Sequence, residues 1–172
     1  MAWEKLKYDK YEINNAGKIL SDGHINSPEK INKAIEILDN WRAVHSYPTH
    51  VFQMRLRDKS RGLDKSSLTA QRLKRVPAIV YKLQRSYRGR KPSMKLYQMQ
   101  DIGGCRAILS NVSLARKLYT ECYLKGDIKH KLVNKKDYIS EPKTDGYRSL
   151  HLVYAYKSNK GMKRFNGLLK KE

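Results

Sequence analysis

Two residues four apart, Pro142 and Gly146, set the strongest limit on what this chain can fold into. Pro142 has no N–H to give and Gly146 takes φ > 0 without strain, so the backbone between them is neither regular helix nor central strand. The stretch around them, Lys136 to His151, begins as a charged loop, turns at Asp145-Gly146 and runs into an apolar strand, Leu150-His151-Leu152-Val153-Tyr154. It brings Lys136, Lys143, Arg148 and Tyr147 to the mouth of a sheet. Cations of that kind meet phosphates, and a tyrosine ring can lie against a purine face. A polar connection before an edge strand would look the same.

The 172 residues suffice for one domain with a moderate core. Net charge is +21, from 37 Lys and Arg against 16 Asp and Glu. That excess is too large for a neutral enzyme of small metabolites and implies a polyanionic partner: nucleic acid, ribosome or anionic membrane. Twelve Tyr and two Trp among the cations favour nucleic acid, because aromatic rings stack on bases. No apolar run reaches the roughly 18 residues of a membrane span, and Met1-Ala2-Trp3-Glu4-Lys5 has no apolar signal core, so a cytoplasmic location is expected. Cys105 and Cys122 lie in apolar-patterned segments and read as small buried residues, not a disulfide. There is no zinc-ligand spacing and no G-x-x-x-x-G-K loop, so a nucleotide site must be built another way.

Along the chain, residues 1–26 read as loop plus one short helix. Ser27-Pro28-Glu29 starts a helix, and Ile31, Ala34, Ile35, Leu38 and Trp41 carry it to about His45. Tyr47-Pro48 is expected to end it, and a second helical pattern runs from Thr49 to near Arg61. His45 and His50 flank that turn without partners at ligand spacing and read as structural or exposed. Ser66–Arg88 reads as a third helix with Leu68, Leu73, Val76, Ile79, Val80 and Leu83 on its apolar face and a kink at Pro77. From Ser66 to Gln100 there is no acid at all, while Arg72, Lys74, Arg75, Lys82, Arg85, Arg88, Arg90, Lys91 and Lys95 crowd the segment. Such a run is either a solvated face or an anion site; uncompensated self-repulsion favours the second. Asp101 stands alone among these cations, just before a probable buried strand, Cys105–Leu109. Gly103-Gly104 between them would let a ligand or backbone approach closely. The pattern fits either a metal ligand among phosphate-binding cations or an Asp capping a turn. Asn111–Leu124 reads as an amphipathic helix, Asp127–Val133 and Leu150–Tyr156 as strands, Lys157–Lys163 as a hairpin turn and Arg164–Lys171 as a further strand. The order is α+β: a mixed β-sheet flanked by helices. Residues 1–64 form a helical N-terminal extension and 65–172 a core, within one structural domain.

These motifs resemble the synthetase domain of RelA/SpoT-type pyrophosphokinases. The acceptor-nucleotide loop of that family reads roughly K-D-Y-I-x-x-P-K-x-N-G-Y-x-S-L-H; here Lys136, Asp137, Tyr138, Ile139, Pro142, Lys143, Gly146, Tyr147, Ser149, Leu150 and His151 match, with Asp145 in place of Asn. The family's ATP helix, R-x-K-x-x-x-S-I-x-x-K-L-x-R, is matched by Arg72, Lys74, Ile79, Lys82, Leu83 and Arg85, with Ala78 in place of Ser. Its D-I-x-G-x-R element is matched by Asp101, Ile102, Gly104 and Arg106. The resemblance implies a nucleotidyltransferase-like core. It also implies that Arg72, Lys74, Lys82 and Arg85 bind ATP, and that Arg106 helps offset triphosphate charge. Asp101 would bind Mg²⁺, with Glu172 as the second metal carboxylate. Lys136, Lys143, Tyr147 and His151 would hold the acceptor. Arg88, Arg90, Lys91 and Lys95 would reach RNA. The chain stops at Glu172, where the family continues with a further strand and a closing helix, so it reads as C-terminally truncated.

The implied reaction moves a pyrophosphoryl group from ATP to a ribose 3′-hydroxyl. One branch of the family makes the alarmones ppGpp and pppGpp from GDP or GTP; another, the toxic small alarmone synthetases, modifies the 3′ CCA end of tRNA. The charge, the cations and aromatics of the first 65 residues, and the runs Lys95–Arg106 and Asn40-Trp41-Arg42 look more like the toxic and phage-defence branch, including fused toxin–antitoxin forms. tRNA is therefore the expected acceptor, GDP or GTP the alternative, and an inactive RNA-binding fragment the third reading. An antitoxin protein or a C-terminal antitoxin region is an implied partner.

Overall fold

The computed structural model describes residues 3–22, 27–85 and 93–158. Helices and two small sheets make it α+β, and the described strands form two two-stranded sheets where one mixed sheet was expected. The chain divides into two compact units, Met1–Val51 with Gln71–Gly104 and Phe52–Ala70 with Cys105–Glu172.

In the first unit, α1 (Lys10–Ser21) opens with a reciprocal cap. Asp9 Oδ1 accepts from the Glu12 N–H and Glu12 Oε2 from the Asp9 N–H, both at 2.8 Å, so two orphan donors are satisfied at once. Helix α2 (Pro28–Val44) starts at Ser27 with proline in its first turn, as the sequence predicts. It packs on α1, and Ile13, Ala16, Ala34, Leu38 and Trp41 are buried. Trp41 stacks on Tyr97 with ring centroids 5.1 Å apart and meets His45 edge-on at 4.7 Å. His45 Nδ1 lies 2.7 Å from the Trp41 carbonyl, and burial pushes its pKa down to about 4. Helix α3 (Ser46–Leu63) follows after a one-residue break. Pro48 was expected to end a helix. It sits instead in the first turn of α3, where its missing N–H leaves nothing unpaired.

The largest correction falls on the third predicted helix. Leu68–Leu73 is strand β1, and helix α4 covers only Val76–Gln84. Pro77 does not kink a long helix; it lies in the first turn of a short one, whose N-cap is Arg75. Only Ile79 and Leu83 of α4 are buried, one turn apart. A 3₁₀ turn, Leu96–Gln98, follows.

Strand β2 (Gly103–Ile108) pairs with β1. Its exposure alternates residue by residue, so it is half-buried where a buried strand over Cys105–Leu109 was expected. In the second unit, α5 (Val112–Lys117) is capped by Asn111, whose Oδ1 accepts from the Leu114 N–H at 2.9 Å. It passes directly into a π turn, Leu118–Leu124. Strand β3 is Lys131–Asp137, shifted about four residues C-terminal to the expected strand, and pairs antiparallel with β4 (Leu150–Ala155). Lys136 lies opposite His151 and Asp137 opposite Leu150. The predicted turn at Lys157–Lys163 and the strand at Arg164–Lys171 lie almost wholly outside the described residues.

Candidate active site

Asp101 follows the 3₁₀ turn, and two lysines from different elements converge on it. Lys74 Nζ donates to Asp101 Oδ2 at 3.1 Å and Lys82 Nζ to Oδ1 at 2.7 Å. Burial raises the carboxyl pKa, but the hydrogen bonds and charges of Lys82 and Lys74 more than offset this and hold it below its ordinary value. Lys74 comes from the end of β1 and Lys82 from α4, so the pair implied for one ATP helix is delivered by a strand end and a helix. The backbone of Lys74 is held at both sides: its N–H donates to the Ile102 carbonyl at 2.7 Å, and its carbonyl accepts from Arg42 Nε at 2.9 Å. Arg42 in turn pairs with Asp39 at 2.9 Å.

Arg72, on β1, and Arg85, at the C-cap of α4, are exposed, as is Lys95 before the 3₁₀ turn. Arg106 is exposed on β2. Arg88, Arg90, Lys91 and Glu172 lie outside the described residues. Asn40-Trp41-Arg42 resolves into three structural tasks: Asn40 ties down residues 4–7 by hydrogen bonds of 3.0–3.2 Å, Trp41 is core, and Arg42 holds Lys74. Gly103 allows close packing. A Cβ there would collide with Thr49 Oγ1, which donates to the His45 carbonyl at 2.7 Å. At Gly104 a Cβ would meet nothing.

The donor set at Asp101 is one carboxylate among cations. Among the described residues no three His, Cys, Asp or Glu side chains gather as a metal cage. A single carboxylate suits a hard cation that completes its shell with phosphate oxygens and water.

The loop around Gly146 is built separately, in the second unit. Gly146 has φ 79°, the left-handed conformation its turn needs. Its N–H donates to the Lys143 carbonyl at 2.9 Å, and Lys143 N–H donates to Tyr147 O at 3.2 Å, closing the turn. Lys143 Nζ then lies 4.8 Å from the Tyr138 ring centre and 4.9 Å from that of Tyr147. Tyr147 Oη and His151 Nε2 are 2.9 Å apart. The rings of Tyr138 and His151 stand at right angles with centroids 5.1 Å apart. Burial, with Lys143 and Lys136 nearby, lowers the His151 pKa below its ordinary value and so favours the neutral ring. Tyr147 is 43% exposed. Lys136, Lys143, Tyr147 and His151 thus lie together at this loop. Beside them runs an open groove of about 640 Å³, lined by Tyr119 and Leu124 of the π turn and by Lys135, Lys136, Tyr138 and Glu141.

Sequence reasoning gave Asp137 only as a motif match. It is the hub of the loop, accepting from the N–H groups of Ile139 and Ser140 at 3.0 and 2.9 Å and from Arg116 Nη1 at 2.9 Å. The Ser140 N–H and Arg116 pull its pKa down to about 2. Arg116 carries no motif signal.

A carboxylate between two lysines and an aromatic–cation loop offer groups that can meet phosphates and a flat base. Residues 71–165 match the region found in RelA / SpoT proteins, and the chain belongs to that family. The membership supports a pyrophosphotransferase kind of enzyme, one that generally uses ATP and Mg²⁺. No curated protein matches the chain. No helix among the described residues is long and apolar enough to cross a membrane.

Proposed function

We propose that the chain transfers the β,γ-pyrophosphoryl group of ATP to the 3′-hydroxyl of the tRNA CCA end, as a translation-inhibiting toxin held in check by an antitoxin. The observation that carries the transfer is the convergence of Lys74 and Lys82 on Asp101. Two ammonium groups from separate elements, gathered at a lone carboxylate, are placed to exchange that carboxylate for phosphate oxygens. Asp101, with Glu172, would hold Mg²⁺, which when bound neutralises charge on the phosphates. Arg72, Arg85 and Arg106 add positive charge for the triphosphate. The acceptor oxygen forms a bond to the β-phosphorus, the α–β bridging bond breaks, AMP leaves and the hydroxyl proton is released. The protein's share is positioning and charge neutralisation. In this reading residues 65–172 are a nucleotidyltransferase-like core and 1–64 its helical extension.

The tRNA acceptor is supported by the net charge of +21, which exceeds the need of one nucleotide. Lys95, with Arg88, Arg90 and Lys91, would track the RNA backbone. GDP or GTP is the second reading, favoured by the small size of the Tyr147–Lys143–His151 cluster, which suffices for one base and its phosphates. The test incubates the chain with Mg²⁺ and ATP labelled at the γ-phosphate, with deacylated tRNA in one tube and GDP plus GTP in another. Label on tRNA is the expected result. Label on guanine nucleotides overturns the acceptor, and label on neither, with the fold intact, overturns the transfer and leaves an RNA-binding fragment.

A further inference from the structure

The acceptor loop is shaped from outside its own motif. Arg116, the penultimate residue of α5, extends both terminal nitrogens to it. Nη1 donates to Asp137 Oδ2 and Nη2 to Ser140 Oγ, each at 2.9 Å. Asp137 spends its other oxygen on the N–H groups of Ile139 and Ser140, and Ser140 Oγ also donates to Asp137 Oδ2 at 3.1 Å. Arg116, Asp137 and Ser140 therefore close a ring of three side chains across the point where β3 ends. Such a fork is pre-organised and directional, unlike a point charge. Ile139 and Ser140, the two residues after Tyr138, each give their backbone N–H to Asp137, and the Tyr138 ring lies against Tyr147 and His151.

The segment carrying Arg116 is itself braced. Just beyond it the helix widens into the π turn, a local irregularity often found at functional sites. Tyr154 Oη on β4 donates to the Tyr123 carbonyl at 2.9 Å, and Arg55 Nη2 donates to the Asp127 carbonyl at 3.1 Å. Arg116 thus stands on a support tied to the same hairpin it holds.

We propose that Arg116 is a positioning residue for acceptor binding: through Asp137 and Ser140 it sets the direction of Tyr138 and Lys143 without touching the acceptor. The inference rests on the acceptor-loop reading given above. Its test has two readouts on the full chain, so that it stands or falls separately from that reading. Hydrogen exchange of residues 138–149 is compared in wild type, Arg116→Ala and Arg116→Lys. The alanine variant is expected to exchange at least about tenfold faster across 138–141, where the ring holds the backbone N–H groups, with residues 10–44 unchanged. The lysine variant, with a point charge for a fork, falls between. Steady-state transfer then gives KM for the acceptor the wild type labels and KM for ATP. Arg116→Ala is expected to raise the acceptor KM by about ten- to a hundredfold and leave the ATP KM within about twofold. Unchanged exchange in the loop overturns the proposal whether or not the wild type transfers label. Faster exchange with unchanged acceptor KM overturns it too, as does an equal rise in both KM values, which marks a structural role only. If the wild type labels nothing, the transfer reading fails, and binding of GDP and of deacylated tRNA to wild type and Arg116→Ala replaces KM. Equal binding by the two then overturns the proposal.

Discussion

Lys74 and Lys82 meet an acid, whereas Lys143 meets aromatic rings. The difference separates two ways of keeping a cation ready. At Asp101 one carboxylate offsets part of the charge of two lysines, and on the proposed reading a triphosphate must displace it from both. In the loop around Gly146 the cation is held over π faces, and the ring of Arg116, Asp137 and Ser140 shapes the backbone in advance. The first arrangement is ready to exchange partners; the second is ready to receive one.

The sharpest way to break the comparison is Asp101→Ala. Loss of the one carboxylate in the clamp is expected to lower kcat by about a thousandfold or more. Because the pairs are half-exposed, stability should change by less than about 1 kcal/mol. Circular dichroism and a melting curve beside the transfer assay check both halves, and a metal-dependent active variant would sink the role. Next, Lys82→Ala removes one charge-assisted donor of ~1.5–3 kcal/mol, so the ATP KM should rise about ten- to a hundredfold with the acceptor KM unmoved. An acceptor-specific defect would reverse the division between the two regions. Tyr147→Ala should do the opposite, raising only the acceptor KM by about five- to a hundredfold, since stacking is worth ~1–3 kcal/mol per base. Tyr147→Phe keeps the ring and loses the His151 bond, so its effect should stay under about tenfold.

The smallest expected effect is on acid stability. Burial first, then the nearby charges of Lys129 and Arg55, depress His130 from 6.5 to about 4. Its Nδ1 accepts the Lys157 N–H at 3.1 Å, and its ring lies against Phe52 and Tyr156. The unfolded chain takes up this proton first. The contribution is therefore complete above about 6.5 and is lost as pH falls toward 4. His45 in the other unit behaves alike. Tm should drop by a few degrees across that window, and His130→Asn should flatten part of the drop; an unaltered profile would count against it.

The loop was legible because its punctuation is chemical: Pro142 and Gly146 forbid regular structure, and Gly146 does adopt positive φ. Helix α2 was legible from its proline start and apolar spacing. What failed has physical causes. Leu68 and Leu73 suggested a helical face, yet Leu68 is 68% exposed and belongs to a strand. Pro77 reads as an interior kink only if the helix is assumed to begin before it. Strand β3 carries Lys131, Lys135 and Lys136 to solvent, so no buried face printed an alternating pattern to set its ends. Arg42 and Arg116 were missed as supporting residues because an arginine bound to a backbone carbonyl or a distant carboxylate leaves no local spacing signal.

The paired lysines at Asp101 also make the site an ion exchanger. Protein cations that meet nucleic-acid phosphates release condensed counter-ions in proportion to the contacts made, and affinity falls steeply with salt. Here the counter-ion of Lys74 and Lys82 is covalently part of the protein and cannot diffuse away. On the proposed reading, ATP affinity should thus depend on salt more weakly than the number of contacting lysines suggests, while the exposed cations toward RNA keep the full dependence.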